Sequence, residues 1–202
     1  MKIIEKSNLE LASKILRNGG LIAFPTETVF GLGVIYDNKD SYQRLIDVKR
    51  RPPEKPFTLM CGDVNDIFKY AYINEKAKKL IDAFMPGQFT IILKAKENLP
   101  SYVISKEGNV GIRVSSDELV SNLIKKVGKP LLVPSANKSG ETPAHNVNDV
   151  LNAFNENELD GVIEGESISN TPSTIVMMND DDIIIIRKGL ISEDDIKKVL
   201  GE

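Results

Sequence analysis

Between Leu21 and Phe57 the chain reads LIAFPTETVFGLGVIYDNKDSYQRLIDVKRRPPEKPF. The apolar run Leu21 to Phe24 has strand character and breaks at Pro25 into a Thr-Glu-Thr turn. Gly31 and Gly33 follow. A helical pattern comes next, capped by Asp37 or Asn38, with Tyr42, Leu45 and Ile46 on one side and Lys49 in its last turn. Pro52-Pro53 forbids any continuation of that helix. From Arg44 to Lys55 stand five basic residues and two acidic ones, a local +3 in a chain whose net charge is −3. A strand, a polar turn, glycines and concentrated positive charge suit a small anionic ligand. The overall negative charge argues against a broad, charge-driven nucleic-acid surface.

The remaining chain interleaves helix and strand patterns without a linker, so residues 1–202 read as one domain. Ser7 or Asn8 caps a helix to Arg17, ended by Gly19-Gly20. Asp63 starts a short helix, and Asn74 caps a longer one to Phe84, stopped by Pro86-Gly87. Ser116 caps a helix with Leu119, Leu123, Ile124 and Val127 on one side, closed by Gly128. Phe57–Cys61, Gln88–Ala95, Val110–Val114, Leu131–Val133 and Gly161–Ile163 read as strands. Asn146 to Phe154 is helical, and Ser173–Met178 with Ile183–Arg187 reads as a hairpin. Ser192 followed by Asp195 opens the last helix in capping-box fashion. Hairpin and crossover spacings are mixed. They predict an α/β domain with a twisted, mixed parallel/antiparallel sheet flanked by helices.

Several chemistries are excluded. Cys61 is the only cysteine and His145 the only histidine, so neither an internal disulfide nor a Cys- or His-based metal cluster can form. His145 reads on its own as a loop residue at the surface. Gly31-Leu32-Gly33 opens like a dinucleotide fingerprint, but Tyr36 stands where the third glycine belongs. No G-x-x-x-x-G-K-[ST] phosphate loop is present. The N-terminal MKIIEKSNLELASK lacks the apolar core of a signal peptide, and no apolar run approaches the ~20 residues of a membrane span. The expectation is a cytoplasmic protein with no membrane association.

Three β-runs border short polar segments: Pro25-Thr26-Glu27-Thr28, Pro134-Ser135-Ala136-Asn137 and Thr171-Pro172-Ser173-Thr174. Each alone is ordinary turn chemistry. Ligands of α/β sheets gather at strand ends, where such loops supply hydroxyl, amide and N–H groups. Arg113 lies within the apolar run VGIRV and needs a charged partner, which a bound carboxylate or phosphate would supply. Basic side chains with Ser and Asn groups, but no phosphate loop, point to a nucleotide held by side chains.

Seven ordered motifs resemble the YrdC-like threonylcarbamoyl-AMP synthase family: PTETVFGLG at 25–33, K-x-R-P-x-x-K-P at 49–56, PGQFTIIL at 86–93, VGIRV at 110–114, PSANKSGETP at 134–143, PSTIV at 172–176 and IIRKG at 185–189. The resemblance implies a YrdC-like fold in its short, single-domain form. It also implies a reaction in which L-threonine, bicarbonate or CO2, and ATP give threonylcarbamoyl-AMP and pyrophosphate. That product serves the threonylcarbamoyladenosine modification of tRNA beside the anticodon. Carried over residue by residue, Lys49, Arg51, Lys55, Asn109, Asn137, His145 and Arg187 would meet ATP, with Lys49 and Arg51 acting in catalysis. Thr28, Arg113, Ser135 and Ser173 would hold threonine. Mg2+ would enter with ATP, held by phosphates and water and by no protein metal site. The implied partners are these small molecules, the tRNA threonylcarbamoyl transferase complex, and tRNA itself through weak contact. Many family members carry a histidine where this chain has Met60.

Two alternatives stay open. One is a carbamoyl-adenylate-forming enzyme like the related domain of hydrogenase maturation proteins, although those carry Cys motifs that a chain with one cysteine lacks. The other is a non-catalytic RNA-binding module using the basic groove, disfavoured by the net negative charge and the 6% aromatic content.

Overall fold

The computed structural model describes residues 1–52, 56–169, 171–179 and 182–201. Its strands are β1 (Lys2–Ile4), β2 (Ile22–Phe24), β3 (Gly31–Ile35), β4 (Leu59–Cys61), β5 (Phe89–Lys94), β6 (Asn109–Val114), β7 (Leu131–Leu132), β8 (Gly161–Ile163), β9 (Thr174–Asn179) and β10 (Asp182–Arg187). They form one sheet in the order β1-β8-β2-β3-β7-β4-β6-β5-β9-β10. β8 runs parallel to β1 and β2, β4 to β6, and β5 to β9. The other neighbours are antiparallel. The predicted mixed sheet is therefore present in a single α/β domain.

The helices are α1 (Leu9–Arg17), α2 (Lys39–Lys49), α3 (Ile67–Tyr70), α4 (Glu75–Phe84), α5 (Glu118–Val127), α6 (Val147–Ala153) and α7 (Glu193–Leu200). Asn8, Asn38 and Asn74 each accept a backbone N–H from the third residue onward, the capping geometry that short polar side chains favour. Ser192 and Asp195 close a complete capping box on α7. The cap of α5 is Asp117 rather than Ser116. The reason is tertiary: the Ser116 N–H and the Ser115 hydroxyl are both engaged by the Glu27 carboxylate.

β3 carried no strand expectation, yet it lies between β2 and β7. Gly33 has a packing role there. A Cβ at that position would stand 2.4 Å from Phe24 Cε1, so only glycine lets the Phe24 ring lie across β3.

The two faces of the sheet are covered differently. On one face Phe89, Ile91 and Leu93 of β5, Val110, Ile112 and Val114 of β6, and Val176 and Met178 of β9 enter the main core beneath α4 and α7. On the other face α1 and α5 cover β2, β3, β7 and the edge of β4, burying Leu16, Phe24, Leu123 and Met60. Beyond Met60 the second face loses its helical cover, and the candidate site occupies that opening.

Candidate functional site

A cavity of about 620 Å³ opens on the uncovered half of this face, within the range of small-molecule sites. Its floor follows from the period of two along each strand. Thr90 and Ile92 of β5, Asn109, Gly111 and Arg113 of β6, and Ile175 and Met177 of β9 line it, while the residues between them enter the core. Met60 pairs with Arg113 in parallel register, so both stand on the cavity side. The charged groups lining the cavity among the described residues are Arg51, Arg113, Arg187 and Glu107, a net positive set suited to an anion.

Arg113 is 6% exposed, and its charged partner comes from the chain itself. Nη2 lies 2.9 Å from Glu27 Oε1, Nε donates to Gly87 O at 3.2 Å, and both terminal nitrogens donate to Thr28 Oγ1 at 3.3 Å. A bound carboxylate on Arg113 would therefore be its second anionic partner, which corrects the reading from VGIRV alone. Glu27 is held in turn by the Ser115 hydroxyl and the Ser116 N–H, while its carbonyl accepts from Gln88 Nε2 at 3.1 Å. The Thr28 hydroxyl also shares a 2.9 Å hydrogen bond with Thr26 Oγ1, which itself donates to Val29 O at 2.7 Å. Since Thr26 has spent its proton on Val29, Thr28 is the donor of that pair.

Arg187 reaches the cavity through a β-bulge. Ile185 pairs with Val176 and Arg187 with Ile175, so Ile186 is an extra residue in β10. Strict alternation from Ile183 and Ile185 would send Arg187 to the core side. The bulge places both Ile186 and Arg187 on the cavity wall. There Nε donates to Ser173 O at 2.9 Å and Nη2 to Ser173 Oγ at 3.0 Å. Loss of water around its head group first, and then the charge of Arg113, push the Arg187 guanidinium below its ordinary range, although the residue as a whole is exposed at the sheet edge. Ser173 Oγ also shares a 2.9 Å hydrogen bond with Thr90 Oγ1.

Arg51 follows the C-cap of α2, where Arg50 adopts the left-handed conformation at φ 49° and ends the helix. Its guanidinium lies 5.1 Å from the Phe57 ring centroid, and Nη2 donates to Pro56 O at 3.3 Å. Phe57 packs edge-on against Tyr42 of α2, fixing the platform beneath the cation. Asn109 lines the rim at the start of β6, and its N–H donates to Ser105 Oγ at 3.2 Å.

Lys49, Asn137 and His145, each expected at ATP, do not line the cavity. Lys49 is 2% exposed and turns inward. Nζ donates to Ser135 O at 2.6 Å, Asn137 O at 2.7 Å and Asn137 Oδ1 at 3.2 Å, which uses all three ammonium protons. Burial, with the Arg51 charge adding to it, pushes its amine down to about 8, while the three oxygens act in the opposite sense. Asn137 Oδ1 also accepts from Ser135 Oγ at 2.6 Å, and Nδ2 donates to Lys138 O and Glu141 O. Lys49 and Asn137 therefore fix the loop that presents Ser135 to the cavity. His145 is half-buried before α6, its N–H donating to Asp149 Oδ2 and its carbonyl accepting from Ser167. Lys55, expected at the polyphosphate, lies outside the described residues.

Thr28, Arg51, Asn109, Arg113, Ser135, Ser173 and Arg187 thus share one cavity. Thr90 on the cavity floor, and Glu27, which is outside the lining but paired with Arg113, are additions. Glu27 could have been found as the one acid in a strand-end turn within a chain that buries an arginine. Thr90 could have been found as the lone hydroxyl inside the apolar run FTIIL. Burial raises the pKa of the Cys61 thiol, and Cys61 points into the core, so it is not a nucleophile for this cavity.

The family model Sua5_yciO_yrdC, described as "Telomere recombination", matches residues 14–189. A Methanocaldococcus jannaschii protein provisionally named a threonylcarbamoyl-AMP synthase is 36% identical over 187 residues, covering 92% of this chain and 87% of that protein. Among solved structures, Sua5 of P. abyssi complexed with L-threonine superposes with a TM-score of 0.94 at 28% identity. All of this chain is matched there, but only 62% of the Sua5 chain. The structure of E. coli YciO gives a TM-score of 0.85 at 26% identity, covering 94% of this chain and 95% of that one. The family match spans most of the sequence and a relative above one-third identity covers nearly all of it; the chain belongs to the Sua5/YciO/YrdC family.

Proposed function

We propose that the chain is an L-threonylcarbamoyladenylate synthase, a nucleotidyltransferase forming threonylcarbamoyl-AMP and pyrophosphate from L-threonine, bicarbonate or CO2, and ATP. The observation that carries this reading is the sharing of one cavity of about 620 Å³ by Arg113, a guanidinium already held in place by Glu27, and two further arginines, Arg51 and Arg187. The resemblance to Sua5 complexed with L-threonine and to the M. jannaschii relative supports it.

In the proposed reaction the threonine amine adds to CO2 and loses a proton, giving a carbamate. A carbamate oxygen attacks the α-phosphorus of ATP, and the bond to the bridging oxygen breaks as pyrophosphate leaves. No covalent enzyme intermediate is required. Holding two anions together against their repulsion, and neutralising charge as it builds on the leaving group, is work that fixed guanidinium groups can do. Arg113 takes the threonine carboxylate. Arg51, held on the Phe57 ring, and Arg187, held by Ser173, face the nucleotide. Lys49 contributes through the Ser135 loop. Among the described residues no group of three or more His, Cys, Asp or Glu side chains could cage a metal, and Glu27 is committed to Arg113. A Mg2+ ion would accordingly be carried by ATP phosphates and water, neutralising the pyrophosphate. The product would pass to the machinery that transfers the threonylcarbamoyl group to tRNA.

The test is pyrophosphate release from ATP and bicarbonate with and without L-threonine, for the wild type and Arg51→Ala. The reading requires threonine-dependent release that Arg51→Ala loses while retaining its fold. Release independent of threonine would overturn it.

A further inference from the structure

The strand order β6-β5-β9-β10 sets a row of polar side chains across the cavity floor. Arg113 of β6 comes first, then Thr90 of β5, Ser173 at the entrance to β9, and Arg187 of β10. Ile91 pairs with Ile112, so Thr90 and Arg113 follow one step further toward the same end of their two strands. Thr90 therefore stands between the strands that carry the two arginines, and both it and Ser173 are 2% exposed.

The hydrogens of this row can be counted. Ser173 Oγ accepts from Arg187 Nη2 at 3.0 Å and shares a single hydrogen bond with Thr90 Oγ1 at 2.9 Å. Two hydroxyls bring two hydrogens, and one is used between them. Among the described residues neither hydroxyl has another acceptor within hydrogen-bond distance. A hydroxyl that accepts from a cation becomes the stronger donor, which directs the Ser173 hydrogen to Thr90 and leaves the Thr90 hydrogen facing the cavity. The two cavity hydroxyls that the resemblance assigns to threonine beside Ser173 have no such hydrogen to offer. Thr28 donates to Thr26, and Ser135 donates to Asn137 Oδ1 at 2.6 Å.

We propose that Thr90 is a substrate-binding residue, the end of an Arg187–Ser173–Thr90 relay that donates one hydrogen bond to a carboxylate oxygen of the amino acid held by Arg113. This rests on the reading of the cavity as an amino-acid site. The amino acid is then clamped by a guanidinium on one side and by a neutral donor on the other. Two guanidiniums already crowd this floor, and a hydroxyl adds a bond to the anion without adding charge repulsion between them.

The experiment is calorimetric titration of L-threonine into wild type, Thr90→Val and Thr90→Ser without bicarbonate, paired with threonine-dependent pyrophosphate release. Loss of a hydrogen bond to a charged group predicts threonine affinity about tenfold to a hundredfold weaker in Thr90→Val, with KM for threonine rising alike and kcat retained. Thr90→Ser keeps the hydroxyl and should restore most of the affinity. If Thr90→Val does not fold, Thr90→Ala takes its place in the same comparison. Unchanged threonine affinity in Thr90→Val, or a Thr90→Ser variant as weak as Thr90→Val, overturns the relay. Wild-type protein that neither binds threonine nor releases pyrophosphate with it overturns instead the amino-acid reading beneath it.

Discussion

Glu27 is the residue whose removal tests the architecture of the site most severely. Its carboxylate and the Arg113 guanidinium are 6% and 7% exposed and lie 2.9 Å apart, so Glu27→Gln leaves a buried cation without its counter-charge. Breaking such a pair from one side costs about 3–5 kcal/mol where the remaining charge is sealed from water. Two features lower the figure here. Arg113 borders the cavity, where water can solvate it, and glutamine retains an oxygen for the Ser116 N–H. The expected loss is therefore about 2–3 kcal/mol, below the sealed-pair range. For a domain of this size that lowers the midpoint of thermal unfolding by about 4–12 °C. The assay is thermal unfolding by circular dichroism for wild type, Glu27→Gln, Arg113→Met and the double variant. Removing both charges should cost less than the sum of the single losses, because neither is then left unpaired. Additive losses, or a Glu27→Gln variant melting with the wild type, would refute the claim that Glu27 neutralises Arg113.

Arg187→Ala should weaken ATP-dependent turnover at least tenfold while lowering stability by about 1 kcal/mol or less, since it sits on a sheet edge; pyrophosphate release beside thermal unfolding separates the two effects. Gly189→Ala should destabilise by about 1–3 kcal/mol, measured by urea unfolding, because a Cβ there would meet backbone atoms of Thr174 at 2.4 Å and Pro172 at 2.6 Å, and the strain falls on the Ser173 segment. Lys49→Met should destabilise by leaving three oxygens of the Ser135–Asn137 loop without their donor. The Lys49 amine, pushed down to about 8 from 10.5, binds fewer protons folded than unfolded between those values. Its contribution to stability therefore rises with pH across that window, and the gap between wild type and Lys49→Met should widen from pH 8 towards 10. A gap that narrows would contradict the burial of Lys49.

What the sequence revealed and what it hid divide along the range of the interactions involved. Asn8, Asn38 and Asn74 were legible as caps because a cap is satisfied within three residues of its own chain. The β9–β10 hairpin and the stop at Pro52 were local in the same sense. β3 was not legible, because Gly31-Leu32-Gly33 has little strand propensity and becomes a strand only where Phe24 requires glycine beneath its ring. Lys49 looked like one member of a basic cluster. Its inward turn depends on carbonyls 86 and 88 residues away, which no spacing reveals. Arg187 reached the cavity only because of a bulge that the run of isoleucines does not announce. The partner of Arg113 stood inside a motif already singled out, but its identity as a partner needed the β2–β3 turn and the end of β6 to meet.

In the proposed reaction one cavity joins an amino acid, a one-carbon unit and AMP. Mass spectrometry of the nucleotide products formed from ATP, L-threonine and isotopically labelled bicarbonate tests it most directly. The expected product is an AMP adduct that contains both threonine and the bicarbonate label, formed alongside pyrophosphate and lost in Arg113→Met. An adduct lacking the label, or AMP and pyrophosphate formed regardless of threonine, would contradict it.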